Sequence, residues 1–259
     1  MRVLVRESVA DVAGCGADLI EARLAARPAA VLGLATGSTP LALYRELAAR
    51  ARARRVSFRD VTTFNLDEYL GLDGAHPQSY RAYMDREFFA HVDIDIARTH
   101  VPAGDAGNAR RIAAEYDRRI ADAGGIDLQL LGIGRNGHIG FNEPYSSLSS
   151  RTRVKTLSAN TIADNARFFA DGEYQPHLAI TVGIGTILDA REVLLLATGE
   201  AKSAAVRDMI EGPVAARCPA SALQLHPNVT VVIDAAAASA LTDPEFFRHI
   251  EREDRALGH

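Results

Sequence analysis

Residues 131–144 read LGIGRNGHIGFNEP, which places His138 and Glu143 five residues apart across a turn carrying Gly132, Gly134, Gly137 and Gly140. If the chain folds back, the carboxylate reaches the imidazole, orients its ring and supports its cationic form, as a proton shuttle near neutral pH requires. A lone histidine is more often structural, but so many glycines in one turn suggest a backbone shaped around something small. Asn136 sits in the same turn. No HxxxH, HExxH or CxxC spacing adds ligands, so a metal is not expected here.

A second candidate lies in FNLDEYLGLDGAHPQSY, residues 64–80, where Asp67 and Glu68 directly follow a short apolar run. A carboxylate desolvated by neighbours such as Phe64 and Tyr69 has its pKa raised and can abstract a proton. Taken alone, two adjacent acids at a strand end read more simply as a solvated turn.

ATGSTP, residues 35–40, precedes the helical pattern LALYRELAAR. Thr39 is suited to cap that helix and Pro40 to open it, so that Gly37, Ser38 and Thr39 present free N–H groups to an anion such as phosphate. An ordinary strand-to-helix turn has the same letters. Positive charge for the anion is available from Lys202 in ATGEAKSAA, Arg167 in ADNARFF, and Arg153 and Lys155 in SSRTRVKT. The last two could share one anion only if the chain bends or a neighbour closes the pocket.

These motifs need elements to converge on one another. Ser8 followed by Asp11 and an apolar periodicity predicts a capped helix ending near Pro28. Short apolar runs at AAVLGLA (29–35), 61–65, 127–133, 178–183, 192–197 and 229–234 alternate with helical patterns, which predicts an α/β fold with a doubly wound, mostly parallel sheet and helices on both faces. AAAAS at 235–239 is expected to begin the last helix. Ligands in such sheets bind beyond the carboxyl ends of the strands, where all these polar motifs fall.

At 259 residues with 47% apolar and 24% charged content, one domain spanning 1–259 is expected. A net charge of −4 argues against a nucleic-acid partner. No apolar run approaches the roughly 20 residues that cross a bilayer, so a soluble cytoplasmic protein is expected. Cys15 and Cys218 are too few for a disulfide framework or a four-ligand zinc site and read as buried small hydrophobes.

As a set, LGLATGSTPLALY, FNLDEYLGL, HPQSY, LGIGRNGHIGFNEP, SLSSRTRVKTL, NARFF, ITVGIGTILDA and LQLHP resemble the glucosamine-6-phosphate deaminase family, over nearly the whole chain. The resemblance implies a Rossmann-like fold and conversion of glucosamine 6-phosphate and water to fructose 6-phosphate and ammonia, in amino-sugar catabolism, with no metal or organic cofactor. It assigns Asp67 as the base that takes the C2 proton, His138 as the acid/base of ring opening, Glu143 as the carboxylate that orients it and Asn136 as a third member of that group. Gly37, Ser38, Thr39, Arg167 and Lys202 would hold the phosphate, and residues 153–181 would form a mobile lid.

Some members are hexamers activated by N-acetylglucosamine 6-phosphate, and Ser146, Ser147, Arg153 and Lys155 match parts of that effector site. A tyrosine associated with it near the C-terminus is replaced here near Phe246. 6-Phosphogluconolactonases share related forms of ATGSTP and GxGxxGH, but FNLDEY and FNEP favour the deaminase. A non-catalytic sugar-phosphate sensor would have no need of Asp67, His138 and Glu143 together.

Overall fold

The computed structural model describes residues 1–166, 169–170 and 172–256; Arg167 lies outside them. In chain order the elements are β1 (Arg2–Arg6), α1 (Val9–Ala26), β2 (Val31–Leu34), α2 (Ser38–Arg52), β3 (Thr62–Asn65), β4 (Asp67–Tyr69), α3 (Tyr80–Glu87), β5 (Thr99–His100) and α4 (Ala109–Asp122). There follow β6 (Leu128–Leu131), β7 (Arg153–Thr156), α5 (Ala159–Ala166), β8 (Leu178–Thr181), α6 (Ile184–Leu188), β9 (Glu192–Ala197), α7 (Ser203–Ile210), β10 (Val229–Asp234) and α8 (Pro244–Ala256).

Seven strands form a parallel sheet in the order β1-β10-β9-β6-β2-β3-β5. Runs such as Val31–Leu34 and Leu128–Leu131 are buried along their whole length, the pattern of strands covered on both faces. From β2 the chain winds outward through β3 to β5, then returns to the other side of β2 as β6 and continues through β9 to β10. The winding therefore reverses between β2 and β6, and a crevice opens at that point beyond the strand ends. Ser8 caps α1 as expected, its side chain accepting the Asp11 N–H at 3.2 Å.

The second sheet was not legible as such. The run at 178–183, expected in the parallel sheet, instead forms β8 of a three-stranded antiparallel sheet ordered β4-β8-β7. Its register aligns Asp67 with Thr181 and Thr181 with Arg153. Leu66 joins the two sheets, its N–H donating to the Leu34 carbonyl at 3.0 Å and its carbonyl accepting the Val182 N–H at 2.7 Å. Asp67, the next residue, is thereby held on a two-sided frame.

Two further expectations are corrected. The N-cap of α2 is Gly37, at φ 110°, rather than Thr39, so Ser38 is the first helical residue and Pro40 the third. Residues 235–240 form turns instead of a helix, although Asp234 accepts the Ala237 N–H on its side chain at 2.7 Å and the Ala238 N–H on its carbonyl at 3.0 Å, as a helix cap would. The last helix waits until Pro244. Among the described residues no helix is long and apolar enough to cross a membrane.

Candidate active site

At the reversal of winding lies a cavity of about 430 Å³, a volume suited to a small ligand. Its wall is contributed by the ends of four parallel strands: Ala35–Pro40 after β2, Leu66 and Asp67 after β3, Gly132–Arg135 with His138, Gly140 and Phe141 after β6, and Lys202 after β9. Tyr80, Thr161 and Asn165 complete it.

The two acids of FNLDEY have separate fates. Asp67 faces the cavity and is 5% exposed. Burial, reinforced by the neighbouring Glu68 charge and only partly offset by the Phe141 amide, pushes its pKa up to about 8. Glu68 is equally buried but spends its carboxylate on the backbone N–H groups of Tyr69 at 2.8 Å, Tyr80 at 2.9 Å and Arg81 at 3.1 Å. A carboxylate at the first turn of α3 complements the helix dipole and fixes where Tyr80 enters the cavity. Neither acid belongs to the solvated turn that the local sequence favours.

Opposite Asp67, the 134–143 turn brings His138, Asn136 and Glu143 together. The Gly134 N–H donates to the His138 carbonyl at 2.9 Å, and the imidazole lies so close over Gly134 that a Cβ there would meet the ring at 2.3 Å. Gly140, at φ 56°, leaves room for Asp67: a Cβ would sit 3.3 Å from its Oδ2 and 3.0 Å from Thr181 Oγ1. The glycines thus let the side chains of Asp67 and His138 approach one turn.

His138 Nδ1 is 3.7 Å from Glu143 Oε2, close enough for charge to be felt but longer than a hydrogen bond. Asn136 bridges the pair, its Nδ2 donating to Glu143 Oε2 at 2.9 Å and its Oδ1 accepting the His138 backbone N–H at 3.2 Å. The Thr161 hydroxyl donates to Glu143 Oε1, which also accepts the Ser158 N–H at 3.4 Å. Burial would raise the Glu143 pKa, yet His138, Thr161 and Asn136 together pull it down to about 2. The group is a fixed anion beside a partly exposed imidazole.

The remaining end of the cavity carries a helix N-terminus and a lysine. Gly37–Thr39 present the N-terminus of the 15-residue helix α2, and Lys202 reaches the same cavity from a turn after β9. That turn is tied down by Asp234, whose carboxylate accepts the Gly199 N–H at 3.0 Å.

Comparison with known proteins bears directly on this arrangement. Residues 5–232 match the family described as glucosamine-6-phosphate isomerases/6-phosphogluconolactonase. The chain belongs to this family. Glucosamine-6-phosphate deaminases of Shewanella loihica and Cellvibrio japonicus are 62% and 61% identical to it over 257 residues, covering 99% of this chain and 96% and 98% of theirs. A solved monomeric glucosamine-6-phosphate deaminase superposes with a TM-score of 0.89 at 44% identity, over 93% of this chain and all of that one. A 6-phosphogluconolactonase from Trypanosoma cruzi, at 21% identity and a TM-score of 0.74, shares the fold.

Of the residues that the family resemblance singles out, Asp67, His138, Gly37, Ser38, Thr39 and Lys202 line one cavity, with Asn136 and Glu143 behind His138. Ser146, Ser147, Arg153 and Lys155 do not line it. Ser146 is buried, Ser147 is exposed and bonds Ser149 at 3.1 Å, and Arg153 donates to Asn142 Oδ1 at 2.8 Å. Arg153 and Lys155 share one face of β7 by strand alternation, so no bend is needed for both to meet one anion.

Sequence reasoning missed Thr161, Tyr80 and Asn165. The only signal for Tyr80 was its place in HPQSY, and for Asn165 its place as the first residue of NARFF. Asn165 Nδ2 donates to the Tyr69 hydroxyl at 2.8 Å, which ties α5 to β4. Nothing in ANTIADNA marks Thr161 as the partner of a carboxylate 18 residues earlier.

Proposed function

We propose that the chain converts glucosamine 6-phosphate and water to fructose 6-phosphate and ammonia. The observation that supports this most is a buried, cavity-facing Asp67 carboxyl set against a separate His138–Glu143 pair. The full-length likeness to deaminases favours that chemistry over lactone hydrolysis.

The pyranose must open before its C2 hydrogen is acidic. In this reading His138 takes the proton of the O1 hydroxyl and delivers one to O5, while the Glu143 carboxylate balances the imidazolium in between. Asp67 then removes the C2 proton of the open aldehyde, O1 gains a proton, and the C2 ammonium gives one up to solvent, which leaves a neutral enolamine. Return of a proton to C1 produces the C2 iminium, which water hydrolyses to the ketone and ammonia. The raised pKa of Asp67 suits an acid that must both take and return a proton, and the ammonium on C2 favours its ionised form once the sugar is bound.

Gly37, Ser38, Thr39 and Lys202 hold the phosphate, joined by Arg167, and residues 153–181 act as the lid whose helix α5 carries Thr161 to Glu143. The same proposal includes a cytoplasmic setting, a homo-oligomer that is a hexamer, and an N-acetylglucosamine 6-phosphate site at Ser146, Ser147, Arg153 and Lys155. The shared face of Arg153 and Lys155 supports the last. Sedimentation, with saturation curves with and without that effector, decides these points.

A coupled assay for ammonia and fructose 6-phosphate from glucosamine 6-phosphate, run with chelator, tests the reaction. Absence of both products, with acid release from 6-phosphogluconolactone, would replace it by the lactonase reading.

A further inference from the structure

The side chain of Asn142 is fully enclosed and all of its polar capacity toward neighbours is directed. Its Oδ1 accepts from Arg153 Nη1 at 2.8 Å, and its Nδ2 donates to the carbonyls of Ile139 at 2.9 Å and Val182 at 2.8 Å. Ile139 follows His138 in the glycine turn. Val182 donates its N–H to the Leu66 carbonyl at 2.7 Å, immediately before Asp67. One amide therefore ties the turn that carries the imidazole to the strand junction that carries the carboxyl, and Glu143 is its direct neighbour in the chain.

We infer that Asn142 and Arg153 are positioning residues that set the separation of Asp67 from the His138–Glu143 pair. An amide can be placed either way round, but guanidinium only donates and backbone carbonyls only accept. With Arg153 in place, Oδ1 must face it and the NH₂ must face the two carbonyls. Turned the other way, NH₂ would meet guanidinium and an oxygen would meet two oxygens. Arg153 on β7 thus decides the orientation of the clamp, and Asn142 supplies its two jaws.

The inference rests on the reaction proposed above, because the separation matters only if both groups act on one sugar. Replacing Asn142→Asp keeps an acceptor for Arg153 but puts a carboxylate oxygen against the Ile139 and Val182 carbonyls. We expect kcat to fall about tenfold or more while KM stays within about twofold, since misplacement of reacting groups slows chemistry more than it weakens binding. Arg153→Ala should lower kcat in the same sense, and Arg153→Lys, which still only donates, should restore most of it. In ligand-free protein the imidazole ¹⁵N resonances of His138 should shift in Asn142→Asp and Arg153→Ala and return in Arg153→Lys.

Wild-type kcat together with unmoved His138 resonances in Asn142→Asp would overturn the inference. So would an Arg153→Ala protein that keeps its basal kcat and loses only a response to N-acetylglucosamine 6-phosphate. Because the resonances are read without substrate, they judge the clamp even if the wild-type protein releases no ammonia, an outcome that would sink the reaction instead.

Discussion

Asp67 lines the cavity and Glu143 stands behind the His138 that lines it, and the two are equally buried, each 5% exposed. Desolvation acts in the same direction on both, yet the pKa of one rises to about 8 and that of the other falls to about 2. What differs is the company each keeps. Asp67 has Glu68 beside it and a single offsetting backbone amide, whereas Glu143 has an imidazole, a hydroxyl and a side-chain amide around its two oxygens. Burial alone therefore does not define a carboxylate's role; the donors around it do, and here they separate a group able to exchange a proton from one held permanently charged.

The sharpest way to break the contrast is to remove ionisation from one side at a time. Asp67→Asn is nearly isosteric but cannot accept the C2 proton, so washout of C2 deuterium and release of ammonia should both fall by about 10³-fold or more, with sugar-phosphate binding largely retained. Washout at a near wild-type rate would remove Asp67 from its role. Glu143→Gln should cost less, about 10²-fold in kcat/KM, because the imidazole stays in place and loses only its counter-charge. If the two variants lost activity equally and both lost washout, the division of labour between the two carboxylates would be wrong.

Lys202→Ala serves as a control that touches neither carboxylate. It should weaken binding of sugar phosphates by roughly 10- to 100-fold while leaving the unphosphorylated amino sugar almost unaffected, since a charge-assisted contact contributes about 1.5 to 3 kcal/mol. An equal loss for both sugars would make Lys202 a support of the fold.

How much of this was legible depended on which force shapes each part. The buried runs of β2, β6, β9 and β10 announce themselves by apolar letters, and with them the crevice and the loops at 35–40 and 132–140. The small sheet did not, because β4 is DEY and β7 is RVKT, neither of which looks like a core strand. Those segments are strands because β8 pairs with both. The same blind spot hid the burial of Asp67 and Glu68, which follows from the pairing of β4 rather than from neighbouring letters. The alanines at 235–239 favour helix by propensity, yet the segment makes only turns, which no local letter announces.

The smallest expected effect, and the most direct check of the contrast, is on stability against pH. For Asp67 the folded pKa of about 8 lies above its ordinary value of 3.8, so between these limits the folded state binds the extra proton and stability falls as pH rises. For Glu143 the folded value of about 2 lies below its ordinary 4.5, so its contribution is present above 4.5 and is lost as pH falls toward 2. Asp67→Asn should therefore raise Tm at pH 9, by roughly 5 °C for a chain of this size, and change it little at pH 4. Glu143→Gln should lower Tm by a similar or smaller amount throughout pH 6–9, and its curve should approach that of the wild type as both are acidified below 4.5. Thermal melts of the three proteins across this range read both signs at once. Parallel curves for Asp67→Asn and wild type between pH 4 and 9 would mean that Asp67 is ionised in the empty cavity, and that the two carboxylates differ in position but not in charge.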